Sequence, residues 1–329
     1  MTIVKEPFHG RECRVVKSYK NLLITGGEDC LIKVWKDNKQ VLQLTQHSSV
    51  IRSIALQGSF MFSCGGNEEL FAWKIETKKE VQCRLSCKFP IVSAIPSVRI
   101  MDIKTCAMSD NKGGGRIGIL AIYSDSMFRF WVFQTDSQDC ELYHESLVHR
   151  EHCPLRISIP SQLFPLDLVD RFVAFTSGTD GRIVTINLSL AYKKRRTVDD
   201  FSWTPHQSGV NCILSKQITE NEYEIYSGGD DGALVLSRID MSLRLVTMIK
   251  TVSKHTAAVQ DLQWLSDKQD LFISVSNDQK IICWSADLKV VSETFIDIYD
   301  PASIAVLHDP DSSIAVCGAG LEVLSLNIE

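Results

Sequence analysis

The chain has 329 residues, 44% of them hydrophobic and 23% charged, with a formal net charge of -5 at pH 7. That length allows two average domains or one large all-β domain with a substantial core. The acidic balance excludes a chain that is basic all over and leaves room only for a local basic patch. Eleven cysteines, none spaced C-x-x-C, point to free thiols in a reducing compartment. The start, MTIVKEPFHGRE, has no apolar signal region, and no uninterrupted apolar run approaches a membrane span. The expectation is a soluble, cytoplasmic protein with no membrane contact.

In chain order, the first clear unit is LLITGGEDCLIKVWK, residues 22 to 36, in which two apolar runs flank a Gly/Glu/Asp turn. Its register recurs. Asp29 and Trp35 are followed by Asn67 and Trp73, Asp125 and Trp131, and Asp278 and Trp284, six residues apart each time. TSGTDGRIVTI and YSGGDDGALVLS fit the same frame, with Asp180 before Ile186 and Asp231 before Ser237. Ten residues before the tryptophan slot stand Thr25, Ser63, Thr176, Ser227 and Ser274; in the third unit the slot is Ala121. Upstream histidines complete the pattern: His9, His47, His152, His206 and His255. The distance from His9 to Trp35 is 26 residues, and from His47 to Trp73 again 26.

Within each unit, short runs of alternating polarity separated by Gly/Asp/Asn turns predict strands rather than helices. A single four-stranded unit cannot bury both of its faces, so such units must stack radially. A seventh unit is needed and is split. SSIAVCGAGLEVLSLNIE, residues 312 to 329, supplies strands around a shortened turn at Gly318-Ala319-Gly320, and TIVKE at the N-terminus lies where an outer strand belongs. Pairing the two ends would remove an exposed sheet edge. These residues resemble the WD-repeat (WD40) family. The expected fold is all-β, a single seven-bladed β-propeller over residues 1–329, closed by pairing of the N- and C-terminal strands.

Recurrence argues against reading the His, Asp and Ser residues as catalytic, because a residue repeated in nearly every unit has a repeating structural task. In the family resembled, histidine, hydroxyl, aspartate and indole N–H form a hydrogen-bond chain inside each blade, which satisfies buried polar groups and stiffens the unit. HESLVHREHC, residues 144 to 153, is the densest metal-like cluster, yet it misses the H-E-x-x-H spacing by one residue, and His152 is taken by the repeat register. NKGGGRIG, residues 111 to 118, lacks the Gly-Lys-Ser/Thr ending of a phosphate loop and precedes a strand, which makes it an inserted loop of the third unit. No catalytic, cofactor-binding or metal-binding residue is therefore expected. AYKKRRTVDD holds the one strong basic run, Lys193, Lys194, Arg195 and Arg196. It is a candidate contact for RNA phosphates, with a solvated loop neutralised by Asp199 and Asp200 as the plainer reading.

Details outside the repeat are more specific. EPFHGRECRVV (6–16), HQSGVNCI (206–213), HTAAVQDL (255–262) and GAGLEVLSLN near the C-terminus resemble the last propeller of the WD-repeat regulatory subunits of the tRNA wobble 2'-O-methyltransferase. Members of that family are much longer, so the chain is read as the equivalent of one propeller of a longer protein. The resemblance implies a non-catalytic adaptor that docks the methyltransferase catalytic subunit and helps position tRNA. It implies no cofactor on this chain, with S-adenosylmethionine bound by the partner enzyme. The alternative is a general WD-repeat scaffold of the kind used in ribosome assembly or ubiquitin ligases.

Overall fold

β-Branched and aromatic residues fill the short apolar runs, and turn residues end each run after four to eight positions, so the chain folds back on itself repeatedly. In the computed structural model, which describes residues 2–4, 9–77, 80–108, 115–161, 163–164, 172–188, 201–307 and 313–325, these runs form seven antiparallel sheets. The first blade comprises Cys13–Tyr19, Leu22–Gly27, Ile32–Lys36 and Lys39–Leu44 in sequential order. The second follows with Ile51–Gln57, Phe60–Gly65, Leu70–Glu76 and Gln82–Lys88. The third has Ile100–Met108, Arg116–Tyr123, Met127–Gln134 and Cys140–Leu147; the fourth has Pro154–Ser158, Val173–Gly178, Ile183–Asn187 and Ser202–Trp203. Val210–Gln217 opens the fifth blade and Val259–Trp264 the sixth.

The seventh blade is the split one. Ser303–Val306, Ser313–Cys317 and Leu321–Ser325 pair in order, and the outer position is taken by Thr2–Val4, antiparallel to Leu321–Ser325 with Thr2 opposite Val323 and Val4 opposite Leu321. The innermost strands stand side by side around the axis. Cys13–Tyr19 packs against Ile51–Gln57 on one side and Ser303–Val306 on the other, which closes the ring. The seven-bladed propeller expected from the repeat is the observed architecture.

Burial follows from radial stacking. A middle strand such as Leu22–Gly27 is covered on both faces by neighbouring blades, and all six of its residues are buried. An outer strand such as Leu245–Val252 has solvent along much of its length. Between the second and third blades Phe60, Phe62, Phe89, Trp131 and Phe133 interlock with edge-to-face ring contacts. Each such side chain withdrawn from water contributes roughly 1.5–3 kcal/mol, so the core is distributed as interblade layers around the ring.

Two irregularities recur. The inner strand of each of the first six blades carries a register shift at its start, for instance between Cys13 and Val15 and between Ile51 and Ser53. A second shift lies opposite the tryptophan slot, at Val34/Trp35, Ala72/Trp73, Phe130/Trp131, Leu236/Ser237 and Cys283/Trp284. Its presence beside Ser237 marks that serine as the slot residue of the fifth blade. One addition was not foreseen: Leu163–Phe164, from the first hairpin of the fourth blade, pairs in parallel with Ala107–Met108 of the third. The NKGGGRIG segment, residues 111–118, runs into the second strand of the third blade, Arg116–Tyr123; its residues 111–114 are outside the described residues.

Candidate functional site

Two blades build the expected hydrogen-bond chain in full. In the first, His9 Nδ1 lies 2.7 Å from Asp29 Oδ1 and its Nε2 lies 3.0 Å from Thr25 Oγ1, while Trp35 Nε1 donates to the same hydroxyl at 3.0 Å. In the sixth, His255 sits 3.0 Å from Asp278 and 2.8 Å from Ser274, and Trp284 Nε1 donates to Ser274 Oγ at 2.8 Å. The carboxylate also takes backbone donors: Asp278 accepts from Thr256 and Lys280 N–H, which ties the loop carrying the histidine to the turn carrying the aspartate. Burial alone would raise the Asp278 pKa; those donors and His255 bring it below the ordinary 3.8. For His255 the balance goes the other way, and burial holds it below 6.5 against the pull of Asp278.

The second blade departs from the sequence reading. His47 meets Ser63 at 2.7 Å and Trp73 Nε1 donates to that hydroxyl, but the carboxylate on His47 Nδ1 is Glu69, 2.9 Å away, rather than Asn67. Asn67 turns aside and reaches Ser48 Oγ at 3.4 Å. A glutamate two residues further along the turn spans the added distance with its extra methylene.

The fourth blade corrects a second assignment. Its buried imidazole is His149, with Nδ1 3.2 Å from Asp180 and Nε2 3.2 Å from Thr176 Oγ1. His152, placed in the register by the sequence reading, is exposed and engaged through its backbone, its carbonyl accepting from Ser126 Oγ at 2.7 Å and its N–H donating to the His149 carbonyl at 3.0 Å. An independent feature supports the exchange. A Cβ added at Gly178 would run into the His149 ring, as one at Gly27 or Gly229 would run into His9 or His206. In these three blades the glycine two residues before the aspartate leaves the space that the histidine ring fills.

The fifth blade joins His206 to Asp231 at 3.0 Å and to Ser227 at 2.9 Å. With Ser237 in the indole slot, Trp203 of the fourth blade donates across the blade boundary to Ser237 Oγ at 3.3 Å. The third blade replaces the chain altogether. Trp131 Nε1 donates to Tyr123 OH at 3.1 Å, and Arg129 lies over the Tyr123 ring with its guanidinium carbon 4.2 Å from the centroid. Arg129 is 3.4 Å from Asp125, 3.4 Å from Glu145 and 3.7 Å from Glu68. Glu68 in turn accepts the Val92 and Ser93 N–H groups, so this cluster fastens the loop between the second and third blades. The sequence reading missed Arg129, although a lone arginine between Phe128 and Phe130 in an apolar strand is a visible signal of a buried charge needing partners.

These geometries commit the recurring histidines and carboxylates to each other. His144 and His149 of the HESLVHREHC cluster do share a cleft of about 180 Å³ between the third and fourth blades, with Asp180, Arg182 and Asn187 on its wall. His149 is already held at both nitrogens there. Among the described residues no group of three or more His, Cys, Asp or Glu side chains is arranged to hold a metal ion, and no helix is long and apolar enough to cross a membrane. The basic run Lys193 to Arg196 lies outside the described residues.

Residues 246–285, the outer strand of the fifth blade and most of the sixth, match the family model of the WD domain, G-beta repeat. Across 92% of its length the chain is 21% identical to the tRNA (34-2'-O)-methyltransferase regulator WDR6 of Mus musculus and 22% identical to that of Rattus norvegicus. It spans about a third of those relatives, 34% in each case. With a WD repeat matched in its sixth blade and the same bond chain set into the first, second, fourth and fifth, the chain is a seven-bladed β-propeller that carries a WD repeat and is similar to part of those regulators.

Proposed function

We propose that the chain is a non-catalytic adaptor that docks a tRNA 2'-O-ribose methyltransferase and helps position tRNA for methylation of the wobble nucleotide. The observation that carries this reading is the similarity to methyltransferase regulators along 92% of a chain folded as a propeller. The catalytic subunit would bind S-adenosylmethionine and perform the transfer. The propeller would hold enzyme and tRNA in one assembly, where two modest contacts act at high effective concentration and the anticodon loop is oriented toward the reacting centre. Lys193, Lys194, Arg195 and Arg196 are the proposed contact to the tRNA backbone, which would add salt-dependent affinity without sequence selectivity. The site of action would be the cytoplasm.

Affinity purification of the tagged chain from cells of its own source tests the docking step. The expected eluate contains a tRNA methyltransferase together with tRNA. Recovery of ubiquitin-ligase or ribosome-assembly factors with no methyltransferase and no tRNA would replace this reading with the general scaffold.

A further inference from the structure

His144 is the histidine of the HESLVHREHC cluster that the blade networks leave over. It lies in Cys140–Leu147, the outer strand of the third blade, opposite Phe130. Successive residues of a strand point to opposite faces, so His144 and Ser146 share one, which is turned to the fourth blade. Across the gap stand Val184 and Ile186, two residues apart in Ile183–Asn187. His144 is only 7% exposed, yet its ring makes no hydrogen bond among the described residues and lines the cleft of about 180 Å³ between the two blades. A buried polar group left so is costly until something in the cleft satisfies it. Burial holds the His144 pKa below 6.5 against the opposing charge of Glu145, so at neutral pH the ring is uncharged and offers one donor and one acceptor. His149 is not equivalent, since Asp180 and Thr176 hold both of its nitrogens.

The walls of this cleft are of two kinds. Leu147, Val184 and Ile186 give it apolar flanks, and Ser146 and Asn187 add polar atoms. Arg150 and Arg182 line it from exposed positions at the rim, the latter 4.0 Å from Asp180. The volume is below the roughly 300–1,000 Å³ of clefts that hold drug-sized molecules, so it suits one small ring. Apolar flanks, hydrogen-bonding groups at the edge and guanidinium groups outside are what an unstacked nucleobase and its phosphate require. Position in the chain supplies a second argument. Asn187 and Ser202, both on the cleft wall, lie six residues before Lys193 and six after Arg196. Six residues span at most about 22 Å, so RNA held on that run would lie within reach of the cleft.

We propose that this cleft between the third and fourth blades receives one extruded base of a single-stranded RNA segment, with the base edge on His144 and Ser146 and the adjoining phosphate on Arg182. The proposal rests on the tRNA reading and adds to it a contact that selects unpaired over paired RNA, which phosphate contacts on the Lys193 to Arg196 run would not do.

The test is fluorescence anisotropy of the full chain with a labelled single-stranded oligoribonucleotide, the same strand annealed to its complement, and the same strand with abasic spacers in place of its bases. The single strand is expected to bind saturably and more tightly than its abasic counterpart. His144→Ala should raise the single-strand Kd about tenfold and leave duplex and abasic binding unchanged. Arg182→Gln should act in the same sense, and Arg244→Gln, at an exposed turn of the fifth blade, should change nothing. Replacing all four of Lys193, Lys194, Arg195 and Arg196 with glutamine should weaken the three ligands alike, so the two contacts are read separately. Unaltered melting temperatures establish that the variants are folded. Independently of any variant, 4-thiouridine placed in the single strand should cross-link to residues 144–150 or 182–187 of the wild type. Equal affinity for the strand with and without bases, a single-strand Kd unmoved by folded His144→Ala, or cross-links confined to other blades would overturn the cleft while leaving the basic-run contact in place. No binding of any of the three RNAs would overturn the tRNA contact itself, and the cleft with it.

Discussion

At the scale of single residues, a buried imidazole lies between a carboxylate and a hydroxyl in five of the blades. Removing it strands both neighbours, and each stranded buried group costs about 1–3 kcal/mol. His149→Ala should therefore destabilise the chain by roughly that amount, whereas His152→Ala should stay within about 0.5 kcal/mol, since an exposed ring away from a network contributes little. Urea unfolding of the two variants decides between them, and the reverse order would restore the register read from the sequence. Protonation gives a second handle. The folded chain binds a proton at His255 less readily than the unfolded chain, whose value is near 6.5. The stability owed to neutral His255 is thus full above about 6.5 and is lost as pH falls through that value toward the lower folded pKa. Glu293 and Lys280, the other charges felt by this ring, act in opposite senses. Between about pH 7 and pH 5 the wild type should lose more melting temperature than His255→Gln; equal losses would show that the ring is not held neutral by burial. Spacing alone identified His9, His47, His206 and His255. It failed at His149 because the insertion holding Leu163–Phe164 separates the fourth histidine from Thr176, and at Glu69 because a longer side chain acts from a different position.

At the scale of the element, the third blade is the exception that tests how a blade is pinned. Arg129, Glu68 and Asp125 are all nearly inaccessible, with side-chain exposures of 4%, 4% and 5%. Breaking such a buried set by removing one member leaves uncompensated charge, at a cost of about 3–5 kcal/mol. Arg129→Met should destabilise by that order and loosen the loop that Glu68 anchors, seen as faster amide exchange at Val92 and Ser93. A loss below about 1 kcal/mol would show that the cluster is not what holds the blade. The absence of a hydroxyl at Ala121 was legible in the sequence, but its replacement was not. Tyr123 supplies the acceptor from two positions along the same strand, and Arg129 supplies the positive charge from the neighbouring strand, pairings that exist only once the sheet register is known.

At the scale of the whole molecule, the seventh blade is completed by three residues, Thr2–Val4, laid against Leu321–Ser325, and the inner strand Cys13–Tyr19 packs on Ser303–Val306 beside it. Without Thr2–Val4 the strand Leu321–Ser325 presents unpaired N–H and C=O groups, an edge that invites association. Deletion of Thr2–Val4 should lower the melting temperature of the ring as a single cooperative transition and promote oligomers in sedimentation velocity. A monomer with unchanged melting would mean that the ring is closed by other contacts. This closure was legible because each terminus reads as strands lacking a complete blade. The parallel strand Leu163–Phe164 was not, since two residues carry no periodicity.

The adaptor reading is the central claim, and reconstituted methylation addresses it most directly. The purified chain, the methyltransferase catalytic subunit, unmodified tRNA and S-adenosylmethionine are combined, and 2'-O-methylation of the wobble nucleotide is followed over time. The chain alone should transfer no methyl group, and adding it to the enzyme should raise the initial rate at subsaturating tRNA by about tenfold or more. Neutralising Lys193 to Arg196 should reduce that stimulation and weaken its dependence on salt. A rate that is the same with and without the chain, under conditions where a full-length regulator accelerates the enzyme, would contradict the claim.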